Sequence, residues 1–326
     1  MKKLLKIGSI VLIAFVFMGC NKEQKKNKVV NHNSAINVPQ YILQRNIDGK
    51  ISTFQWDNNQ LINLSETPYG KNTILFYKNK IVESLNEDHI NIKKGDLNIN
   101  LEDNVIFTKI NQSGDKIFYK VLNGDIYTYY YLDLNSMRKQ EIKIDLSADL
   151  IEWTEDDNLI FYGVSNKKTG IFTYNINDNQ INKIIDIKEG YVNYLHMNGD
   201  EIIYLFNGFT EGSDIKVFNM KTNKTSTNTV HFKVIKDLKV YEDSLIIKST
   251  EEDKGNIYVI RKGEVNKINY EFPEEIENDS YLLQSGSKTL FVGKSQGAEG
   301  LYSYDIKNNE IKLEIDLEGE NYIPNT

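Results

Sequence analysis

Gly170-Ile171-Phe172-Thr173-Tyr174-Asn175-Ile176, then Asn177-Asp178-Asn179, then Gln180-Ile181-Asn182-Lys183-Ile184, reads as a strand, a turn and a second strand. Apolar and polar residues alternate along both arms, and Asn and Asp tolerate the backbone that a tight turn imposes. The first arm returns as Asp125-Ile126-Tyr127-Thr128-Tyr129, Asp214-Ile215-Lys216-Val217-Phe218-Asn219-Met220, Asn256-Ile257-Tyr258-Val259-Ile260 and Gly300-Leu301-Tyr302-Ser303-Tyr304-Asp305-Ile306. Its leading apolar residues Ile126, Ile171, Ile215, Ile257 and Leu301 stand 45, 44, 42 and 44 apart. A period in the forties with about four strands per repeat is what propeller blades produce. Each small sheet cannot bury both faces alone and must stack between neighbours.

Working outward, short apolar runs bounded by Asn, Asp, Gly and Lys continue from about residue 39 to the C-terminus. No window carries a sustained 3.6-residue stripe with caps at both ends, so the fold class is all-β. The aromatic pairs Phe172/Tyr174 and Tyr302/Tyr304 fit one face of a middle strand and are expected in the core. Residues 39–326 hold between six and seven such repeats. We take seven four-stranded blades, with six as the alternative. Tyr41-Ile42-Leu43, Ile51-Ser52-Thr53-Phe54 and Gln60-Leu61-Ile62 supply three strands of one blade, and Asn321-Tyr322-Ile323 can supply the fourth. Closure by N- and C-terminal strands would remove exposed sheet edges without a disulfide.

Within the repeats, Trp153-Thr154-Glu155-Asp156-Asp157-Asn158-Leu159-Ile160-Phe161 resembles the W-S-P-D-G-x-x-I-x-F element of TolB-like propellers. Asn111-Gln112-Ser113-Gly114-Asp115-Lys116-Ile117-Phe118 and Ser65-Glu66-Thr67-Pro68-Tyr69-Gly70-Lys71-Asn72-Thr73-Ile74-Leu75-Phe76 resemble it too, and no copy keeps the full Pro-Asp-Gly. The resemblance implies a scaffold in which an innermost strand ends in a turn that launches a strongly apolar second strand.

The N-terminus addresses the chain. Met1-Lys2-Lys3-Leu4-Leu5-Lys6 is cationic, Ile7 to Phe17 is nearly all apolar, and Gly19 precedes Cys20, the only cysteine. The apolar run is too short to span a bilayer and has the layout of a signal peptide. It resembles a bacterial lipoprotein signal, which implies cleavage after Gly19 and lipid on the Cys20 sulfur. The expected organisation is a signal peptide over 1–19, a lipid anchor and flexible tether over 20–38, and a propeller over 39–326. The expected location is the extracytoplasmic face of the cell membrane, held by two acyl chains. Lys22, Lys25, Lys26 and Lys28 next to the anchor read either as help at an anionic leaflet or as a solvated tether. With its one cysteine lipidated, the mature protein would have no disulfide and no thiol ligand.

Net charge is −7, and −10 once Lys2, Lys3 and Lys6 leave with the signal. An acidic body argues against nucleic acid as a partner. Of the histidines, His32 lies in the tether, and His89, His196 and His231 fall in different repeats without metal-ligand spacing. Glu155-Asp156-Asp157, Glu251-Glu252-Asp253 and Glu274-Glu275 lack the register of a calcium loop and read as solvated turns. Ser285-Gly286-Ser287 lacks the spacing of a nucleophile elbow and reads as a hairpin turn. We therefore expect no catalytic residues, no metal and no cofactor, although loops of several blades could still gather acids at the axis. The expected function is a membrane-tethered, non-catalytic binding or protein-interaction module of the cell envelope. The alternatives are a glycan or small-ligand binder in the central funnel, and a carbohydrate-active enzyme.

Overall fold

A computed structural model describes residues 42–325 apart from 58–59, 69–70, 79–80, 87–88, 210–211, 252–253 and 270–271. The signal, Cys20 and the tether with His32 lie outside the described residues, as do Glu252 and Asp253. The described residues form 29 strands and no helix. All the sheets are antiparallel, and most have four strands in sequence order, as in a propeller.

We number the four-stranded units as blades and give their strands in spatial order. Blade 1 is Glu320–Tyr322, Leu43–Ile47, Lys50–Asp57 and Gln60–Pro68. Blade 2 is Lys71–Lys78, Ile81–Asn86, His89–Lys94 and Leu97–Asn100, and blade 3 is Val105–Ile110, Lys116–Asn123, Ile126–Asp133 and Arg138–Ile142. Blade 4 is Leu146–Trp153, Leu159–Ser165, Lys168–Tyr174 and Ile181–Asp186, and blade 5 is Tyr191–Asn198, Glu201–Asn207, Ser213–Asn219 and Lys224–Val230. Blade 6 is Ile235–Tyr241, Ser244–Glu251, Lys254–Arg261 and Glu264–Lys267, and blade 7 is Leu283–Ser285, Lys288–Ser295, Ala298–Asp305 and Glu310–Leu317. In blade 1 the C-terminal strand pairs Gln44 with Tyr322, Arg45 with Asn321 and Asn46 with Glu320.

The remaining strand, Glu275–Ile276, joins blades 6 and 7 into one nine-stranded sheet. Ile276 pairs with Gly255 on one side and with Gly293 on the other. Both partners must be glycine. A Cβ on Gly255 would lie 2.7 Å from the Ile276 carbonyl oxygen, and one on Gly293 2.8 Å from that of Glu275.

Core side chains form clusters that bridge neighbouring blades, which is why no blade is a unit by itself. Phe118, Tyr131 and Ile142 of blade 3 pack with Ile151, Trp153 and Phe172 of blade 4. Leu43 and Phe54 of blade 1 pack in the same way with Leu290 and Val292 of blade 7. Phe172, Tyr174, Tyr302 and Tyr304 are all buried, as the alternation predicted. Each such large apolar side chain contributes about 1.5–3 kcal/mol through burial.

Two expectations need correction. Ile126 is not equivalent to Ile171. It sits at the tip of the blade 3 hairpin and is 70% exposed, and the residue in the place of Ile171 is Tyr130. Tyr130 pairs with Tyr119 as Ile171 pairs with Tyr162. The blade 3 hairpin is longer, and that moves the repeat out of step. Second, Ser65–Phe76 is not a copy of the Trp153 element. It crosses from the last strand of blade 1 to the first of blade 2, whereas Trp153–Phe161 and Asn111–Phe118 join the first and second strands of one blade.

Candidate functional site: the axis and the two faces

The first strand of each blade lies nearest the axis of a propeller. On these strands Lys109, Glu152, His196 and Lys239 fall on blades 3, 4, 5 and 6. They stand 43, 44 and 43 apart, which is the repeat period. Equivalent positions in successive blades therefore bring them together. Lys109 Nζ donates to Glu152 Oε1 at 2.6 Å. Lys239 Nζ lies 3.3 Å from Asp237 Oδ2, and this buried carboxylate also accepts from the backbone N–H of Leu238 at 2.8 Å and of Leu282 at 2.7 Å.

Between the two pairs sits His196. Burial pushes its imidazole below the ordinary value, opposed by the charges of Glu152 and Asp237 and reinforced by those of Lys109 and Lys239. The ring is thus held neutral at pH 7. Burial, with Asp237 and Glu152 adding to it, holds the Tyr194 phenol well above its ordinary value and protonated. The cluster can hydrogen-bond a polar group, but both carboxylates already have fixed partners.

None of the sequence-expected features lies in this cluster except His196. His89 sits 3.2 Å from Asp103 Oδ1 near the outside, and His231 is exposed on the link between blades 5 and 6. Glu155, Asp156 and Asp157 occupy a turn, and Glu274 and Glu275 the blade 6–7 connector. Ser285 and Ser287 flank a hairpin turn. No group of three or more His, Cys, Asp or Glu is placed to hold a metal among the described residues.

Because every blade is an antiparallel meander, its ends alternate. The turns from first to second and from third to fourth strand share one face. The second-to-third hairpins and the links between blades share the other, here called the link face. Contacts agree with this assignment: the turns holding Asn111 and Asp157 touch, and Gly319, on the link from blade 7 to blade 1, approaches Ile47 beside a hairpin. The exposed large apolar side chains divide unequally. Ile106, Ile126 and Tyr127 of blade 3, Tyr191, Phe209 and Val234 around blades 5 and 6, and Ile47 of blade 1 are on the link face, whereas Phe272 packs edge-on against Tyr302 in a cleft between blades 6 and 7 that Arg261 and Asn309 also line. Met137 is on the other. The described chain starts, at residue 42, on that opposite face.

No family model matches the chain, and no curated protein matches it in sequence. Solved structures do match in shape. A puromycin hydrolase S511A mutant complexed with PGG aligns with TM-score 0.60 at 8% identity, over 89% of this chain and 53% of that one. An oligogalacturonate lyase in complex with manganese aligns with TM-score 0.57 at 10% identity, over 78% and 82%. TolB from Acinetobacter baumannii aligns with TM-score 0.49 at 11% identity, over 68% of this chain and 60% of its own. The chain thus spans about half of the hydrolase and three fifths of the TolB structure. At these identities the likeness to the hydrolase and to the lyase shows a shared fold and nothing further.

Proposed function

We propose that this protein is a non-catalytic binding module: a seven-bladed ring closed by its C-terminal strand and tethered through lipidated Cys20 to the extracytoplasmic face of the cell membrane. The observation that carries the non-catalytic reading is the engagement of the axial acids. Glu152 is paired with Lys109, and Asp237 is saturated by two backbone N–H groups and Lys239. A general acid or base needs a carboxyl group able to exchange its proton with substrate. Loops that vary freely on a packed scaffold suit recognition instead. The partner is then a protein of the envelope. A neutral imidazole and a protonated phenol at the axis favour, as the second reading, a small polar ligand or glycan in the funnel.

The anchor is tested by Cys20→Ser, which should move the protein from the membrane fraction to the soluble fraction; unchanged retention would defeat it. The module is tested by cross-linking on intact cells. Discrete adducts that survive Glu152→Gln support a binding role, whereas adducts or turnover that require the Glu152 carboxylate would transfer the protein to the enzyme class.

A further inference from the structure

We infer that Asp237 fastens the C-terminal strand from the axis: its carboxylate fixes the connector between blades 6 and 7, and that connector in turn holds Ile323. The coupling stands on hydrogen bonds and does not depend on the binding-module reading.

A free chain end supplies the first strand of blade 1. Glu320–Tyr322 meets Leu43–Ile47 through three paired residues, and no turn joins the two. The first strand of blade 5, by contrast, meets its second through seven pairs and a tight turn. Chain ends fray unless they are tied down, and a short ladder holds little by itself. Asn321 and Tyr322 are tied by Arg45, Glu299 and Gln44. Ile323 is tied by the connector. Its N–H donates to Ser280 Oγ at 2.9 Å, and its carbonyl accepts from the Tyr281 N–H at 2.9 Å. Ile323, Ser280 and Leu282 are all buried.

Residues 280–282 belong to no strand, so their backbone groups must find partners elsewhere. Blade 6 supplies them through two opposite charges. Asp237 Oδ2 accepts from the Leu282 N–H at 2.7 Å, and Lys248 donates to the carbonyls of Glu277, Asn278 and Ser280. Asp237 and Lys248 stand directly opposite each other in the ladder, after a register shift between Ile235 and Asp237. Both are buried, and the Asp237 charge is the first to oppose the burial that pushes the Lys248 ammonium down. A carboxylate for the N–H and an ammonium for the carbonyls thus replace the partner strand that the connector lacks. Charge-assisted bonds of this kind are roughly twice as strong as neutral ones.

Asp237 also belongs to the axial cluster. Its Oδ2 lies 3.3 Å from Lys239 Nζ, and its charge reaches Tyr194 and His196. The same oxygen therefore serves the axis and the connector. The docked and undocked positions of the C-terminal strand are the two states that it biases. Whatever draws Asp237 toward the axis weakens its hold on Leu282, and release of Ile323 acts back on Asp237 by the same free energy.

The test is hydrogen exchange in the full chain, read by mass spectrometry for the C-terminal strand and blade 4, and by NMR for the Leu282 amide. Asp237→Asn keeps the shape and loses the charge. It should speed exchange of the C-terminal strand about tenfold while blade 4 changes less than about twofold. Ser280→Ala removes only the hydroxyl at Ile323 and should speed the C-terminal strand and the Leu282 amide together. The two substitutions combined should do less than their separate effects multiplied, because both act through one segment. An unchanged C-terminal strand in Asp237→Asn would overturn the inference. Equal loosening of blade 4 would overturn it too, since Asp237 would then be a general support. If Asp237→Asn does not fold, Ser280→Ala decides alone: a Leu282 amide that exchanges as in the wild type would show that axis and strand are not coupled.

Discussion

The junction between blades 3 and 4 and the junction between blades 6 and 7 solve the same problem by different means. At the first, side chains from the repeat do the sealing. Trp153 donates its indole N–H to the Lys109 carbonyl across the junction at 2.9 Å and packs against Tyr131 at 6.2 Å between ring centroids. Asp157 accepts from Asn111 Nδ2 at 2.8 Å and from Lys116 Nζ. At the second junction the backbone enters. The connector after Lys267 inserts Glu275–Ile276 between two third-and-second strands, and its continuation is gripped by Lys248. Lys248 is 1% exposed, and its ammonium donates to the carbonyls of Glu277, Asn278 and Ser280. Ser280 Oγ accepts from the Ile323 N–H at 2.9 Å, and Tyr281 N–H donates to the Ile323 carbonyl at 2.9 Å. Lys248 therefore supports the seam where the C-terminal strand joins. A repeated motif can serve every junction, whereas an inserted strand serves one.

The largest effect is expected at the repeat-sealed junction. Trp153→Ala removes a buried aromatic ring and a cross-blade hydrogen bond and should cost about 4 kcal/mol, read as a lower urea midpoint. Trp153→Phe keeps most of the ring and should lose less than half of that; equal losses would mean that packing contributes little. Next comes Lys248→Met. It leaves three carbonyls without their donor, at about 3 kcal/mol in total because solvent can reach part of the connector. Burial pushes the Lys248 ammonium down to about 8 from its ordinary 10.5. The unfolded chain then binds the extra proton between those values, so this group's contribution to stability rises with pH from 8 to 10.5. Lys248→Met should lack that rise. A variant with wild-type stability and wild-type pH dependence would show that the connector holds without its lysine.

How far each junction could be read from the sequence follows from the same contrast. Phe172 and Tyr174 were legible because alternation and a period near 44 both place them between blades. Ile126 was misplaced because its blade has a longer hairpin, and a count along the chain cannot see which residues pair. Ser65–Phe76 was misread because apolar spacing alone does not distinguish a turn within a blade from a link between blades. Nothing in Glu274-Glu275-Ile276 announces a strand two residues long; its signal lies in Gly255 and Gly293, whose missing side chains make room for it. Lys109, Glu152, His196 and Lys239 did carry a signal, since they repeat at the blade period. It was hidden because a polar residue on an alternating strand looks like a solvated one.

A smaller effect isolates the polar half of the blade 3–4 seal. Asp157 has φ 58° and is linked to Lys116, whose side chain is 18% exposed against 37% for its partner. Asp157→Ala should cost about 2 kcal/mol, from two lost hydrogen bonds and from forcing alanine into the left-handed region. Asp157→Asn keeps a side chain that tolerates this backbone and should cost about 1 kcal/mol or less, because solvent screens the ion pair. If Asp157→Asn is as harmful as Asp157→Ala, the charge and not the turn is what the junction needs.

The smallest expected effect lies where the two regions meet at the axis. His196 feels Lys109 and Glu152 from the blade 3–4 side and Asp237 and Lys239 from blade 6, and burial dominates, lowering its pKa. An unfolded chain takes up the proton near the ordinary value of 6.5, while the folded protein resists until lower pH. The native state therefore binds fewer protons in that window, and stability falls as pH drops through it. His196→Gln cannot titrate, so its urea midpoint should fall less steeply than that of the wild type between pH 7 and 5. Both proteins carry the same carboxylates, and the difference between their slopes belongs to the imidazole. Parallel slopes would mean that water at the axis already solvates His196 as in the unfolded chain, and that the two junctions do not meet electrostatically there.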